Sequence, residues 1–326
     1  MEQLTTATLT QLPQVRALGR HTGRDPLTLF WTASGMELEF TGSELWVDLF
    51  ADYEVVEPWV SVELNGAWVA RFAVNPGKSR VCLFRGMTPG KAKHVRLLKD
   101  VQAMHDDPAH LLQITGLEYA GGDFLPLPEP QYRLGFVGDS ITSGEGAIGA
   151  KPEEDWVGAF FSAENHYGRL TADALGAEYR CISQSGWGLV TGWDNDVRHV
   201  MPPYYTQVCG VAMGQRNAAP DGRCTAERFP VADRIVVGIA VGDNADALLQ
   251  LDQNAERVGR VIDLCIEQYA LGVHQFADLH RQTSRPSALL IRLYRYSPTA
   301  PSAQVQVVTW SAAALTSAGA LATATA

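Results

Sequence analysis

The sequence predicts a β-sandwich of the jelly-roll type followed by an α/β three-layer domain, and three observations carry that prediction. Residues 28–125 alternate apolar and polar in short runs. A proline-rich segment at 125–130 breaks the pattern. Beyond it, short apolar strands alternate with a helix-forming stretch. The expected division is a sandwich over 1–125, a linker over 126–132, an α/β domain over 133–295 that is incomplete at its C-terminus, and a tail over 296–326.

The sandwich rests on seven runs, beginning at Leu38, Leu45, Trp59, Ala67, Val81, His94 and Leu112. Each places apolar side chains at every second position, the period of a strand with one face on a core. Turn chemistry separates them: Asn65-Gly66, Asn75-Pro76-Gly77, Thr88-Pro89-Gly90 and Gly121-Gly122-Asp123. Short strands punctuated in this way are characteristic of sandwiches and jelly rolls. Between Leu125 and Pro130 three of six residues are proline, which favours extended backbone and removes ladder donors.

Arg133–Val137 is a short apolar run leading into Gly138, suited to a buried parallel strand. Residues 162–175 predict a helix that puts Tyr167, Leu170 and Ala174 on one face and stops at Gly176, a C-cap glycine. Tyr179–Ser183 and Asp233–Val241 supply a second and third strand. Strand, helix and strand in this order argue for crossover connections and a parallel sheet. Residues 296–326 contain no Asp, Glu, Lys, Arg or His and end in small residues. They lack the apolar stripe of an ordinary packing helix.

The formal charge of −10, with basic residues scattered, argues against nucleic-acid binding. No stretch approaches the roughly 20 apolar residues of a membrane span. The first fifteen residues lack the basic and apolar regions of a secretory signal, so a cytoplasmic location is expected. The five cysteines, Cys82, Cys181, Cys209, Cys224 and Cys265, form no C-x-x-C pair and read as free thiols. No cofactor is expected, and no His/Asp/Glu cluster with metal-ligand spacing stands out.

The segment richest in chemistry is GDSITSGEG at 138–146, directly after the Arg133–Val137 strand. A serine on a tight turn at the carboxyl end of a strand is exposed to a cleft. There its hydroxyl serves as a nucleophile when a base stands nearby. Ser140 is that residue. The flanking glycines allow close approach of backbone and substrate, and the following helix start offers N–H groups. The competing reading is a helix-capping turn, but the full G-D-S-I-T-x-G-x-G string is far more specific than G-D-S alone.

This string resembles the first sequence block of the SGNH (GDSL-type) hydrolases. Together with the N-terminal β-domain, Ser183–Leu189 (SQSGWGL) and Thr191–Asn195 (TGWDN), it is similar to carbohydrate esterase family 2. Those proteins join a jelly roll to an SGNH domain and remove acetyl groups from sugars. The resemblance runs from about residue 28 to about residue 217 and then fades. It implies that the N–H groups of Ser140 and Gly186 are oxyanion donors, a role for which glycine leaves the amide open. Gly242-Asp243-Asn244 follows the third strand in the register of the family's G-x-N-D block, which makes Asn244 a third donor or else a turn residue. Ala245 stands where the family has aspartate. Trp187 and Trp193 offer flat apolar faces for a sugar ring, or else core packing.

The family's base lies in a C-terminal D-x-x-H, and no such string follows Asn244. His274 and His280 come soon after it, and Asp278-Leu279-His280 has the wrong spacing. His21, His94, His105, His110, His166 and His199 lie too early in the chain. The base histidine is therefore not identified. With the fading resemblance and the uncharged tail, this predicts a C-terminal region that is divergent or read in a shifted frame. Two functions follow. One is a serine esterase deacetylating sugars through an acyl-enzyme on Ser140. The other is an impaired, carbohydrate-binding relative lacking the histidine block. The expected partner is an acetylated carbohydrate or small ester, with no nucleic acid and no membrane.

Overall fold

Alternation along the strands translates directly into a two-sheet sandwich. The computed structural model describes residues 3–130, 132–150, 155–188, 192–194, 196–201, 204 and 208–209, and the backbone of strands 234–238, 289–294 and 305–310. The sandwich strands are β1 (Thr5–Ala7), β2 (Arg16–Leu18), β3 (Leu27–Thr28), β4 (Gly35–Phe40), β5 (Glu44–Asp52) and β6 (Trp59–Leu64). They continue with β7 (Ala67–Ala73), β8 (Gly77–Arg85), β9 (Lys93–Lys99), β10 (Leu111–Ala120) and β11 (Phe124–Leu125). One sheet runs β1-β10-β5-β8 with β3 also on β10. The other runs β11-β4-β9-β6-β7 with β2 also on β4, and all these pairings are antiparallel.

Strand β5 shows the logic in one element. Leu45, Val47, Leu49 and Ala51 are buried and their neighbours are not, so one face meets the core shared with Val60, Val62, Leu97 and Ile114. The Asn65-Gly66 turn between β6 and β7 has positive φ at both residues, 53° and 79°, as a tight hairpin demands. Strands β1 and β2 precede the predicted start at residue 28. At three residues each they are too short for alternation to register.

The α/β part begins with β12 (Tyr132–Gly138), then α1 (Ser140–Ser143), α2 (Tyr167–Ala174) and β13 (Ala177–Ser183). Strand β14 (Arg234–Gly238) completes a parallel sheet of order β13-β12-β14, with β12 central. Strands β15 (Leu289–Tyr294) and β16 (Val305–Trp310) pair antiparallel, so a hairpin spans the expected boundary between α/β domain and tail at 295/296. Asn244, His274 and His280 lie outside the described residues.

The helix face predicted for 162–175 is corrected. Helix α2 is shorter, and it buries Gly168, Arg169, Thr171 and Ala172 while Leu170 is exposed. A glycine and an arginine occupy the inward positions because the ring of Tyr179 comes to within 2.9 Å of where a Cβ on Gly168 would stand, and Arg169 turns back to pair with Asp173. Gly176 adopts φ +59° just past the helix end and its N–H bonds the Asp173 carbonyl, as the C-cap reading requires.

The two parts share a core. Leu18, Ala33 and Leu98 of the sandwich pack in one apolar cluster with Leu134, Phe136, Ala163, Ala172, Tyr179 and Cys181. Polar groups reinforce the join. The Asp100 carboxylate, fully buried, pairs with Arg71 at 2.5 Å and accepts from the Ala163 N–H at 3.0 Å. Arg71 in turn donates to the carbonyls of Gly158 and Phe161. Among the described residues Cys82, Cys181 and Cys209 are free thiols, and no helix is long and apolar enough to cross a membrane.

Glu164 sits at this join with Oε1 buried and, among the described residues, without a hydrogen-bond partner. Burial foremost, with the charges of Glu63 and Asp100, outweighs Arg169 and Arg96 and raises its carboxyl to about 7. The folded protein therefore holds this proton more tightly than the unfolded chain. The group's support for the fold is complete below pH 4.5 and is lost as the pH rises through about 7. The loss is on the order of 2–3 kcal/mol. Buried His110 and His166, lowered to about 3 by desolvation, act in the opposite sense as the pH falls below 6.5. Glu164→Gln isolates the carboxyl: urea-unfolding curves are expected to show the variant gaining on wild type between pH 5 and pH 8.

Candidate active site

The parallel sheet places its chemistry at one end. Strand β12 has β13 on one side and β14 on the other, so the strand order reverses at the carboxyl end of β12. In open α/β sheets this is where a crevice forms. Gly138 ends β12 there, Ser140 opens α1, and Ser183 at the end of β13 lies beside Gly138 in register.

The turn carrying Ser140 is held from several sides. Asp139 caps α1 by accepting the Ile141 N–H at 3.1 Å. The Thr142 hydroxyl meets Tyr167 at 2.8 Å, and Ser143 donates to the Ser183 hydroxyl at 2.8 Å. Gly144 ends the helix at φ +79°, where a Cβ would stand 2.2 Å from the Ser162 carbonyl oxygen, so only glycine fits. With its neighbours engaged, Ser140 is partly exposed, and its hydroxyl makes no hydrogen bond among the described residues.

Gly186 stands on the adjoining turn after β13. Its φ is +77°, and a Cβ there would meet the Trp193 ring at 2.3 Å. Among the described residues neither the Gly186 N–H nor the Ser140 N–H donates a hydrogen bond. Two open amides at neighbouring strand ends are what an oxyanion hole needs. Replacing Gly186 with alanine imposes both the left-handed backbone, about 1–2 kcal/mol, and a clash with the indole. Gly186→Ala is expected to lower kcat on an acetyl ester about 10²-fold, the scale of losing one oxyanion donor, and steady-state kinetics would read it.

The two tryptophans part company. Trp187 is 4% exposed, stacked on His199 at 5.3 Å between ring centroids and edge-on to His105 at 5.4 Å; it packs as a core ring. Trp193 is 75% exposed, its ring lies against Gly186, and its backbone N–H donates to the Gly186 carbonyl at 2.8 Å.

The histidines divide as well. His166 is buried beside the Tyr179 hydroxyl, and burial with the nearby Arg169 charge keeps it neutral. His110 Nδ1 donates to the Val56 carbonyl, and His94 meets Glu37. His199 Nδ1 lies 2.9 Å from Asp194 Oδ2, the arrangement by which a carboxylate orients an imidazole. No hydrogen bond joins that pair to Ser140. Sequence position had set His199 aside, and its five-residue spacing from Asp194 was the signal available.

The loop also corrects the reading that no metal-ligand cluster is present. Asp194, Asp196 and His199 bring ligand atoms within 4.8 Å of one another. Arg198 already binds both oxygens of Asp196 from Nε at 3.0 Å and holds that carboxyl well below its usual range. The cluster is thus supplied with a cation by the chain itself.

A partly exposed serine at a switch point, with two amides at the ends of adjoining strands that donate no hydrogen bond among the described residues, makes this turn the candidate site. An acetyl xylan esterase from the rumen bacterium Butyrivibrio proteoclasticus is 42% identical, with a TM-score of 0.69 over 72% of this chain and 63% of that one. A family two carbohydrate esterase from Cellvibrio japonicus shares the fold at a TM-score of 0.66 and 21% identity, over 87% of each chain. Among curated proteins, a cellulase/esterase of Acetivibrio thermocellus is 30% identical over 164 residues. An acetylxylan esterase / glucomannan deacetylase of Cellvibrio japonicus is 26% identical over 202 residues. The matched regions are 50% and 61% of this chain but 19% and 54% of those proteins. No protein-family profile matches the chain. The chain is thus similar to acetyl xylan esterases and shares the fold of family two carbohydrate esterases.

Proposed function

We propose that this protein removes acetyl groups from carbohydrate through an acyl-enzyme on Ser140. The observation that carries the reading is the Ser140 hydroxyl and the N–H groups of Ser140 and Gly186, at adjacent strand ends and without a hydrogen bond among the described residues. The hydroxyl oxygen attacks the ester carbonyl, and the two amides hold the developing oxyanion. The sugar alkoxide leaves with a proton, and water then releases acetate. Asn244 is the proposed third donor. The imidazole that accepts and returns the proton belongs to the reading as a group still to be assigned.

Carbohydrate is favoured as substrate by the exposed Trp193 indole beside the oxyanion turn, a flat apolar surface for a sugar ring. It is also favoured by the relatives, one an acetylxylan esterase / glucomannan deacetylase and another seen in complex with cellohexaose. Acetate release from acetylated xylo- and gluco-oligosaccharides tests the proposal, with wild type compared against Ser140→Ala. Equal release by both, together with retained binding of the sugar, would establish the carbohydrate-binding reading instead.

A further inference from the structure

The oxyanion turn is gripped from outside its own domain. Gln102, 1% exposed, follows strand β9 of the sandwich, and its side-chain oxygen Oε1 accepts two hydrogen bonds from Ser185. One comes from the backbone N–H at 2.7 Å and one from the hydroxyl at 2.9 Å. The hydroxyl has a second acceptor, Glu145 Oε2 at 2.5 Å, which also takes the Trp156 indole N–H at 3.0 Å. A serine hydroxyl carries one hydrogen, so it serves Glu145 or Gln102 at a time. Among the described residues the Ser185 backbone N–H has Gln102 alone.

This matters for the neighbouring peptide. The Gly186 N–H, which donates no hydrogen bond among the described residues, belongs to the plane between Ser185 and Gly186. On one side of that plane the Ser185 N–H is tied to Gln102. On the other, the Gly186 carbonyl accepts from Trp193 at 2.8 Å and the Trp187 N–H bonds the Gln184 carbonyl at 3.1 Å. This amide is thus aimed by the bonds of the planes flanking it. Gln102 is itself pinned: the fully buried Lys99 ammonium donates to the carbonyls of Val101 at 2.7 Å and Gln102 at 2.5 Å. The next residue along, Asp100, anchors segment 158–163, whose Ser162 packs on Gly144 behind the nucleophile turn. The end of β9 therefore reaches both halves of the site.

We infer that Gln102, contributed by the jelly roll, is a positioning residue that orients the Gly186 oxyanion amide, an inference resting on the esterase reading above. Gln102→Met keeps the volume and removes the acceptor. It is expected to lower kcat on an acetyl ester about 10- to 100-fold, the scale of a misplaced catalytic group, with KM within about twofold. It is also expected to speed backbone hydrogen exchange across 184–187 in the whole protein. Ser185→Ala, which keeps the N–H bond to Gln102, is expected to stay within about threefold of wild type in kcat, since the tie that aims the amide remains. Unchanged kcat and exchange in Gln102→Met would overturn the inference. So would a loss in Ser185→Ala as large as that in Gln102→Met, which would place the effect on the Glu145 link. A wild type without Ser140-dependent turnover would overturn the esterase reading, and the exchange comparison would still show whether Gln102 holds the turn.

Discussion

Ser140→Ala is expected to lower kcat/KM for acetyl esters by about three to six orders of magnitude, the range seen when a hydrolase loses its nucleophile. The loss should be this complete because the nearby hydroxyls are committed elsewhere. Thr142 is bonded to Tyr167, Ser143 to Ser183, and Ser185 to Glu145 and Gln102. None offers an unengaged oxygen at the start of α1. The open amides of Gly186 and residue 140 survive the substitution, so what persists above the uncatalysed rate is oxyanion stabilisation of attack by water. Trapping with an activated ester checks the chemistry directly. Wild type should acquire one acetyl group on the peptide containing residue 140, and Ser140→Ala should acquire none. Rates that match in the two proteins would remove Ser140 from the mechanism.

Asp100→Ala is expected to cost about 3–5 kcal/mol of stability, the penalty for breaking a buried ion pair by deleting one partner. The carboxylate is fully buried, and burial raises its pKa even though Arg71 and the Ala163 N–H pull the other way. Removing it leaves the Arg71 guanidinium, itself nearly buried, with the Gly158 and Phe161 carbonyls and the Trp59 ring but no counter-charge among those contacts, and leaves the Ala163 N–H without its acceptor. Asp100→Asn keeps an oxygen for Ala163 while removing the charge, so it should fall between alanine and wild type. Urea denaturation at neutral pH ranks the three. Because segment 158–163 backs the turn at Gly144, the alanine variant should also lose activity under conditions where it remains folded. A cost below about 1 kcal/mol, typical of exposed pairs, would show that the join does not depend on this pair.

Much of the fold was legible in the sequence because its signals are local. A strand with one face on a core alternates every second residue, and β5 obeys this without exception. The turn carrying Ser140 was legible for a similar reason: Gly144 is demanded by a left-handed helix end and by the Ser162 carbonyl against it. Gly186 was placed through family resemblance, and its backbone conformation and the indole against it supply the physical reason. Helix α2 was read with the wrong face because its inward side carries Gly168 and Arg169, residues that hydropathy assigns to solvent.

What the sequence by itself determined is therefore the sandwich, the parallel strands and Ser140 at the end of one of them. Each is written in side-chain periodicity or in glycines within a few residues. Only the tertiary structure decided that Trp187 is core and Trp193 is open, that His199 leans on Asp194, and that Gln102 reaches Ser185 from 83 positions away in the chain. The reason is physical. Burial and hydrogen-bond partnership are set by which strands lie side by side, and contacts between distant segments leave no period in either one.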